Sequence, residues 1–378
     1  MTCDVVVIGG GIIGASIAYN LSKRNTNVIL VEKNDIASGT SGSCDGFVFM
    51  QSKKPGIHLE MALESARIME QLSTELQRDI EYEKNGGMIL IESKDDIPEM
   101  QDFVYQQRNS GLDVVLLDAC QVHEMEPNIS SNIAGATYSP MDAHVNPLAL
   151  CLAFAESAKN RGTKILTDTH VTGINIVNGK VQGIETTKGR IKADVVVNSA
   201  GVYAPAVANM AGINLPIIPR RGQIAVTESV PRFLKKVMIC NRYIKSKFNL
   251  NQVQDSLGIG LALEQTKAGN ILIGSTREFV GYDRQVTPEG ITAVLKYAQR
   301  FVPAIGEFNV IRTFAGLRPY TPNNLPILGK VKSIEGLIVA AGHEGDGIAL
   351  SPITGVIITE LITTGKSELL ASLPVMQN

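Results

Sequence analysis

The chain has 378 residues, 44% of them hydrophobic, and its 35 Lys and Arg nearly balance its 37 Asp and Glu. This length allows two domains with separate cores, whereas the near-neutral charge does not favour nucleic acid as a partner. The sequence also argues against a membrane-spanning helix, because no apolar run approaches ~20 residues, and against a metal site, because the five cysteines form no CxxC pair.

The first segment has the pattern of a dinucleotide-binding βαβ unit. A β-branched run at 4–8 predicts a buried strand, residues 12–24 predict a helix, and 27–31 predict a second strand. Glycines with GxGxxG spacing join the first strand to the helix, and an acid that could bind a ribose ends the second strand. The cofactor-binding residues predicted here are Gly9, Gly11, Ile12, Ile13, Gly14, Glu32 and Lys33.

Each residue of this unit has a physical role. Gly9 makes the tight turn, Gly11 lets a pyrophosphate approach the backbone, and Gly14 lets the helix pack closely on the strand. The helix N-terminus then faces the phosphates. The segment therefore predicts dinucleotide binding.

A small, hydroxyl-rich loop at 37–46 follows instead of another βα unit. Its hydroxyls can donate hydrogen bonds to a pyrophosphate and its glycines permit close approach, which favours a long, extended flavin dinucleotide over NAD. The alternative is a flexible surface loop. The cofactor-binding residues predicted in it are Ser38, Gly39, Thr40, Ser41, Ser43, Cys44, Asp45 and Gly46.

The middle of the chain predicts further helices and strands. The predicted helices are 58–78, 95–109, 147–161 and 287–301. The predicted strands are 87–91, 114–117, 164–167, 171–177, 180–187, 194–198, 223–227 and 271–275, with a turn at Asn178 and Gly179. The cofactor-binding residues predicted here are Val171, Ala200 and Gly201.

The C-terminal part predicts a second strand, glycine turn and helix. A strand-like segment at 312–317 leads into a proline-rich loop at 318–329, and a strand at 337–341 precedes a helix at 348–364. The N-terminus of that helix could stabilise negative charge on a reduced flavin ring. The cofactor-binding residues predicted here are Gly316, Gly342, Gly345, Asp346, Gly347 and Ile348.

Taken together, these motifs resemble those of the D-amino-acid oxidase superfamily of FAD enzymes, which includes glycine oxidase and sarcosine oxidase. The resemblance covers nearly the whole chain. The segments 38–46 and 342–348 are most similar to flavin subunits of hetero-oligomeric dehydrogenases acting on proline, hydroxyproline or opines, and of hydrogen cyanide synthase. The motifs are Val7-Ile8-Gly9-Gly10-Gly11-Ile12-Ile13-Gly14, Glu32-Lys33, Ser199-Ala200-Gly201, Gly316-Leu317-Arg318-Pro319, Pro326-Ile327-Leu328-Gly329 and Gly342-His343-Glu344-Gly345-Asp346-Gly347.

The resemblance implies an α/β fold. A Rossmann-like FAD-binding domain of the D-amino-acid oxidase type is expected at 1–46, 140–212 and 310–378. An α+β substrate domain on a largely antiparallel sheet is expected at 47–139 and 213–309. The two domains are therefore interleaved, which agrees with the lack of a linker-like stretch in the sequence.

The resemblance also implies the chemistry: oxidation of the carbon–nitrogen bond of a small amino or imino acid by hydride transfer to FAD. Arg318 matches the arginine that binds the substrate carboxylate, which suits its two-pronged guanidinium. His343 could contact the ring or tune substrate protonation, although a role in fixing its own loop is the simpler interpretation. Tyr243 is the third candidate catalytic residue.

The sequence departs from the family pattern at two places, which affect how flavin is attached and which residue makes the second carboxylate contact. No cysteine occurs at 316–323, where many monomeric sarcosine oxidases attach flavin, so noncovalent FAD is implied. Relatives often have a tyrosine near 259–264, where this chain has none, so Tyr243 or Tyr320 would have to supply the second carboxylate contact.

The expected partners are a small amino or imino acid and other dehydrogenase subunits that carry NAD, FAD or an iron–sulfur cluster. Nucleic acid and a transmembrane segment are not expected. Because the first residues show no secretion signal, a cytoplasmic protein is expected. The alternatives left open are a stand-alone oxidase, an opine dehydrogenase subunit, an NAD-dependent dehydrogenase and a noncatalytic subunit that only holds flavin.

Overall fold

The computed structural model describes residues 1–248 and 257–371. Its strands are β1 (Val5–Ile8), β2 (Val28–Val31), β3 (Phe47–Val48), β4 (Gly87–Ile91), β5 (Val115–Asp118), β6 (Gly135–Ser139), β7 (Ala143–His144), β8 (Lys164–Leu166), β9 (Val171–Val177), β10 (Lys180–Thr186), β11 (Val195–Asn198), β12 (Ile218–Ser229), β13 (Val237–Cys240), β14 (Ala262–Gln265), β15 (Asn270–Gly274), β16 (Val310–Tyr320), β17 (Ile327–Lys330) and β18 (Leu337–Ala341). Its α-helices are α1 (Ile12–Ser22), α2 (Ile57–Glu75), α3 (Ile97–Asn109), α4 (Ala119–Met125), α5 (Pro147–Asn160), α6 (Ala204–Asn209), α7 (Asn241–Phe248), α8 (Pro288–Phe301), α9 (Gly347–Thr363) and α10 (Glu368–Ala371).

A six-stranded sheet in the order β17-β18-β11-β1-β2-β8 carries the N-terminal motif. All its neighbouring pairs are parallel except β17 with β18. Every residue of β1, β2 and β18 is buried. Helices α1, α5 and α9 cover one face of the sheet with a shared apolar core, and a second apolar core with residues of β9, β10 and α6 covers the other face. Continuous apolar strands are the expected result of burial on both faces.

The second large sheet has eight strands in the order β16-β12-β15-β14-β13-β4-β6-β5. Its pairs are antiparallel except β13 with β4. Its core includes residues of β4, β13, β14 and helix α8. The mixed architecture confirms the predicted α/β class with a largely antiparallel second sheet.

Most predicted elements agree with the structure to within a few residues, but one segment was wrong. The proline-rich segment 318–329 is not all loop, because β16 continues to Tyr320 and β17 begins at Ile327. Pro319 is compatible with a strand here because β16 is an edge strand of its sheet.

The predicted division into two discontinuous domains stays a prediction. It assigns residues 310–320 to the FAD-binding part, whereas the hydrogen bonds of β16 pair these residues with β12 in the eight-stranded sheet. In residues 1–248 and 257–371, no helix is long and apolar enough to cross a membrane.

Candidate functional site

A cavity lies between the two large sheets. On one side it is bounded by the carboxyl ends of β1, β2 and β18 and by the start of α1. On the other side it is bounded by Gly222 and Ile224 of β12 and by Gly316 and Arg318 of β16. The carboxyl ends of parallel strands are the usual ligand-binding edge of such a sheet.

Most of the predicted site residues come together in the wall of this cavity. Those that line it are Gly9, Gly11, Ile12, Ile13, Glu32, Lys33, Ser38, Gly39, Thr40, Ser41, Ser43, Cys44, Asp45, Val171, Ala200, Gly201, Tyr243, Gly316, Arg318, Gly342, His343, Gly345, Gly347 and Ile348. Within the described part of the chain, Gly14, Gly46 and Asp346 lie outside its wall.

The glycine turn after β1 has the geometry that its spacing predicts. Gly9 has a φ of +108°, a conformation that side-chain-bearing residues rarely adopt. A Cβ on Gly14 would lie 2.8 Å from Oγ of Ser199 and closer still to the carbonyl oxygen of Gly9. Gly14 therefore acts through the packing of α1 on β1, without reaching the cavity itself.

The 37–46 loop is fixed to helix α1 and to strand β16. The Ser41 hydroxyl accepts a hydrogen bond from the backbone N–H of Ile12 at 3.0 Å. The Thr40 hydroxyl donates to the carbonyl oxygen of Leu317 in β16 at 2.6 Å. A Cβ on Gly316 would overlap the carbonyl oxygen of Ser43. The loop is thus held in the wall of the cavity.

Two residues that directly follow β2, Glu32 and Lys33, lie in the wall of the cavity. Glu32 accepts hydrogen bonds from the backbone N–H groups of Gly10 at 2.7 Å and Asn34 at 2.9 Å. The Lys33 ammonium lies 3.3 Å from the ring centre of Tyr203, another residue of the cavity wall. The predicted ribose-binding acid is therefore at the cavity and held in a defined orientation.

The N-termini of two helices face the cavity. The N-cap residue of α1, Gly11, has no side chain to cap the first turn. Helix α9 begins at Gly347, which also lines the cavity. The exposed N–H groups and the helix dipole at such ends bind negative charge. This wall fits a dinucleotide pyrophosphate at α1 and an electron-rich ring at α9.

Arg318 of β16 also lies in the wall of the cavity. Its guanidinium donates to the carbonyl oxygen of Thr276 at 3.0 Å and to the hydroxyl of Ser275 at 2.8 Å. Both partners are neutral, and within residues 1–248 and 257–371 Arg318 forms no ion pair. Burial acts to raise the pKa of Asp45 and of Glu344, and the charge of Arg318 opposes that effect at both carboxyl groups. The positive charge of Arg318 is therefore available to an anionic ligand.

Tyr243 lies beside this arginine. A Cβ built on Gly345 would lie 3.8 Å from the hydroxyl oxygen of Tyr243 and 3.7 Å from Nε of Arg318. The Arg277 guanidinium lies 3.8 Å from the centre of the Tyr243 ring. Burial raises the pKa of Tyr243, although Arg277 and Arg318 oppose this shift. The phenol therefore stays protonated and can donate a hydrogen bond next to Arg318.

A buried arginine and glutamate that the sequence analysis missed form an ion pair near Arg318. Arg220 of β12 is ion-paired with Glu344, and both side chains are fully buried. Burial alone would raise the pKa of Glu344, but Arg220, Arg277 and Arg318 outweigh it and hold this pKa well below its ordinary value. No local pattern links these residues, which lie 124 positions apart.

Asp346, predicted to bind the cofactor, is the centre of a buried ionic cluster. Its carboxylate lies 2.8 Å from the ammonium groups of Lys53 and Lys247 and 3.1 Å from Nε2 of His58. The two lysines come from distant segments and contact both carboxylate oxygens, and the predicted cofactor role of Asp346 stays a prediction. The cluster joins the start of α9 to α7 and to the segment before α2.

His343 is part of the cavity wall, and its ring nitrogen Nε2 lies 3.1 Å from the hydroxyl of Thr354 in α9. Burial lowers its pKa to about 4. The imidazole is therefore neutral near pH 7. Its contact with the helix fits the simpler interpretation, a side chain that fixes its own loop.

Gly46, whose predicted role in cofactor binding stays a prediction, donates its N–H to the two carboxylate oxygens of Glu264, each at 3.0 Å. A Cβ on Gly46 would overlap the carbonyl oxygen of Val145. Burial, and then the nearby Asp45 carboxylate, raise the pKa of Glu264 well above its ordinary value. The folded protein therefore favours the protonated form of Glu264.

Replacing Glu264 by Gln should change how stability depends on pH. Because the folded-state pKa of Glu264 is raised, the wild type loses stability as pH rises from the unfolded-state pKa towards the folded-state pKa, by at most about 1.4 kcal/mol per pH unit for one proton. Glu264→Gln removes this loss. Urea unfolding at pH 5 and pH 8 should show the variant gaining stability relative to the wild type at the higher pH.

The exposed Glu335 provides the matched control, since its carboxylate side chain is 73% accessible. Glu335→Gln should show a stability difference from the wild type that is nearly the same at both pH values. An equally flat difference for Glu264→Gln would contradict a protonated Glu264.

Comparison with known proteins identifies similar chains. Residues 4–361 match the DAO family, described as FAD dependent oxidoreductase. The chain is 31% identical to hydrogen cyanide synthase subunit HcnC of Pseudomonas aeruginosa, over 96% of this chain and 92% of that protein. It is 30% identical to glycine oxidase of Geobacillus kaustophilus, over 95% and 92%. The solved structure of L-proline dehydrogenase from P. horikoshii superposes with a TM-score of 0.89 at 28% identity, covering 97% of this chain and 95% of that one.

Proposed function

Because this chain belongs to the DAO family of FAD-dependent oxidoreductases, we propose that it oxidises the carbon–nitrogen bond of a small amino or imino acid. The observation that carries the proposal is the position of Arg318. Its guanidinium lies in the wall of the cavity and is hydrogen-bonded only to neutral groups in the described part of the chain. A substrate carboxylate is the natural counter-charge for such a group.

Arg318 and Tyr243 form a two-point site for that carboxylate. A guanidinium offers two parallel N–H donors to the two carboxylate oxygens, and the protonated Tyr243 phenol adds a donor from the side. Arg277, stacked on the Tyr243 ring, fixes the plane of that ring. These contacts orient the substrate and leave its amine free to lie deeper in the cavity.

Orientation is the main contribution of these residues to the reaction. When bound, FAD supplies the acceptor for a hydride, and this chemistry needs an aligned C–H bond and an unprotonated amine more than a dedicated base. The neutral His343 and the ionised Glu344 also lie in the cavity wall. We assign His343 to fixing its own loop and Glu344 to balancing the charge of Arg220.

We propose that FAD is bound noncovalently. The segment 316–323 contains no cysteine. Cys44 lies in the cavity wall, and burial raises the pKa of its thiol well above the ordinary value. A thiol that stays protonated is a poor nucleophile, so covalent attachment through Cys44 is disfavoured.

The similarity to a hydrogen cyanide synthase subunit supports a catalytic subunit of a hetero-oligomeric dehydrogenase. In this role, electrons would leave through partner subunits that carry NAD, FAD or an iron–sulfur cluster. The similarity to glycine oxidase supports the second candidate, a stand-alone oxidase that uses oxygen. The two candidates share the substrate class and differ in the electron acceptor.

A spectral titration of the holoenzyme tests the substrate class. We expect one of proline, hydroxyproline, sarcosine or glycine, added under anaerobic conditions, to bleach the flavin absorption band, with both enantiomers tried for each chiral compound. Lactate is the matched control, because it carries the carboxylate but has a hydroxyl in place of the amine, and it should leave the band unchanged. Bleaching by lactate and by none of the amino acids would contradict the proposal.

Readmitting air separates the two candidate acceptors. A flavin that stays reduced for many minutes indicates a dehydrogenase that needs partner subunits, whereas rapid recovery of the absorption band with release of hydrogen peroxide indicates an oxidase.

A further inference from the structure

The Arg318 side chain crosses a neighbouring strand to reach its partners. Arg318 belongs to β16, and its guanidinium is bonded to Ser275 and Thr276, which follow β15. Strand β12 lies between β16 and β15 in the sheet. The arginine therefore extends over the surface of β12.

The residue of β12 beneath the guanidinium is Gly222. A Cβ built on Gly222 would lie 2.6 Å from both Cζ and Nη2 of Arg318, and closer still to Nη1. Gly222 pairs with Gly316 across the two strands, and Arg220 pairs with Arg318 two positions away. A diagonal neighbour on the same sheet face is within reach of a long side chain.

The same pair of glycines serves two different contacts. At Gly316, a Cβ would overlap the backbone carbonyl oxygen of Ser43 in the 37–46 loop. At Gly222, the three atoms nearest to a Cβ would all belong to the far end of one flexible side chain, that of Arg318. Backbone cannot move aside cheaply, whereas a guanidinium can. The two positions should therefore respond differently to the same substitution.

We propose that Gly222 is a positioning residue for substrate binding: by lacking a side chain, it sets where the Arg318 guanidinium lies and so where the substrate carboxylate binds. This inference rests on the proposed function, in which Arg318 binds that carboxylate. Gly222 is in an ordinary strand conformation, since its φ is not among the positive values of the chain. Its backbone geometry therefore does not require glycine. The close approach of the Arg318 guanidinium does require it.

Gly222→Ala is accordingly expected to preserve the fold and weaken substrate binding. To reach ordinary contact distance, the guanidinium must shift by about 1 Å, a displacement that can cost a hundredfold in a positioned site. We expect the dissociation constant for a carboxylate ligand to rise about tenfold to a hundredfold, the range for weakening a hydrogen bond to a charged group. FAD content should stay at the wild-type level.

The test uses four variants of the FAD-loaded protein: Gly222→Ala, Arg318→Ala, the double variant, and Gly173→Ala. Gly173 in β9 is the matched control, because a Cβ there meets nothing nearer than 3.8 Å. Binding of pyrrole-2-carboxylate is followed by the flavin difference spectrum. This probe has the ring size and carboxylate of proline but no saturated C–H bond to oxidise.

Gly222→Ala should bind the probe more weakly than Gly173→Ala, with similar FAD content and melting temperature. In the double variant it should add almost nothing to Arg318→Ala, because it acts through that side chain. Wild-type affinity in Gly222→Ala, or fully additive effects in the double variant, would overturn the inference. Wild-type affinity in Arg318→Ala would instead overturn the proposed carboxylate contact.

A readout independent of any ligand completes the test. A crystal structure of the FAD-loaded Gly222→Ala protein should show the Arg318 guanidinium moved away from Ser275 and Thr276. An arginine that keeps both hydrogen bonds beside the new methyl group would overturn the inference, whatever the affinity measurements give.

Discussion

Replacing Arg318 by Ala is expected to abolish most substrate reduction of the flavin and to leave FAD bound. The guanidinium lies in the wall of the cavity, and its partners Ser275 and Thr276 are neutral. Losing one member of a buried, hydrogen-bonded charge pair costs about 2–5 kcal/mol. This corresponds to a fall in kcat/KM of about thirtyfold to several thousandfold, measurable by anaerobic stopped-flow reduction.

Two controls sharpen this prediction. Arg318→Lys keeps the charge but loses the two-pronged geometry, so it should fall between the wild type and Arg318→Ala. Arg232→Ala removes an arginine whose side chain is 43% accessible and which pairs with Glu83, and it should reduce flavin like the wild type. Unchanged turnover in Arg318→Ala would disprove the carboxylate role.

Replacing Asp346 by Asn is expected to destabilise the folded protein strongly. Asp346 is the anion between the ammonium groups of Lys53 and Lys247, and all three side chains are at least 95% buried. Asparagine keeps the size but removes the charge, so two buried cations lose their shared partner. Breaking a buried ion pair in this way costs about 3–5 kcal/mol, which urea unfolding of the variant would detect.

The pH dependence distinguishes loss of charge from loss of packing. Burial alone would raise the pKa of Asp346, but Lys247 and Lys53 outweigh this effect and hold that pKa well below its ordinary value. Its contribution is therefore present above the unfolded-state pKa and is lost as pH falls towards the folded-state pKa. The difference between wild type and Asp346→Asn should shrink in acid. A constant difference would indicate that packing dominates.

A surface ion pair provides the scale for this effect. Lys180 and Glu335 lie 3.2 Å apart with side chains 45% and 73% accessible. Exposed pairs of this kind contribute at most about 1 kcal/mol, so Glu335→Gln should unfold at nearly the same urea concentration as the wild type. If Asp346→Asn behaved likewise, the ionic cluster would have no stabilising role.

The parts of the fold that sequence could predict are those decided by local pattern. The β1, α1 and β2 unit was predicted because a buried strand, a glycine turn and a helix follow each other within a few residues. Strand β18 and helix α9 repeat this pattern. In both cases, the residues that make the structure are neighbours in the chain.

The missed features depend on residues that are distant in sequence. Helix α7 was not predicted, because its eight residues include three cationic side chains and only a few apolar ones. Lys247 of this helix is buried only because Asp346 meets it from another element. The ionic cluster around Asp346 was not predicted for the same reason.

The site also contains some residues that local motifs predict and others that only long-range contacts bring together. Glycines, Arg318 and the 37–46 loop were identified from their motifs, and the structure brings most of these residues, though not Gly14 or Gly46, into one cavity wall. The ion pair of Arg220 with Glu344 and the contact of Gly222 with Arg318 left no local signal. The contact of Gly222 with Arg318 arises from strand order, because β12 and β16 are neighbours in the sheet although they are distant in the chain.

The order of the parallel sheet also constrains how this chain can fold during synthesis. Strand β11 pairs on one side with β1 and on the other with β18, which is made more than a hundred residues later. Until β18 leaves the ribosome, the apolar edge of β11 lacks its neighbour, and exposed strand edges promote aggregation. We therefore expect nascent chains that end before β18 to remain protease-sensitive and dependent on chaperones, and folding to be completed only after translation of the last helices.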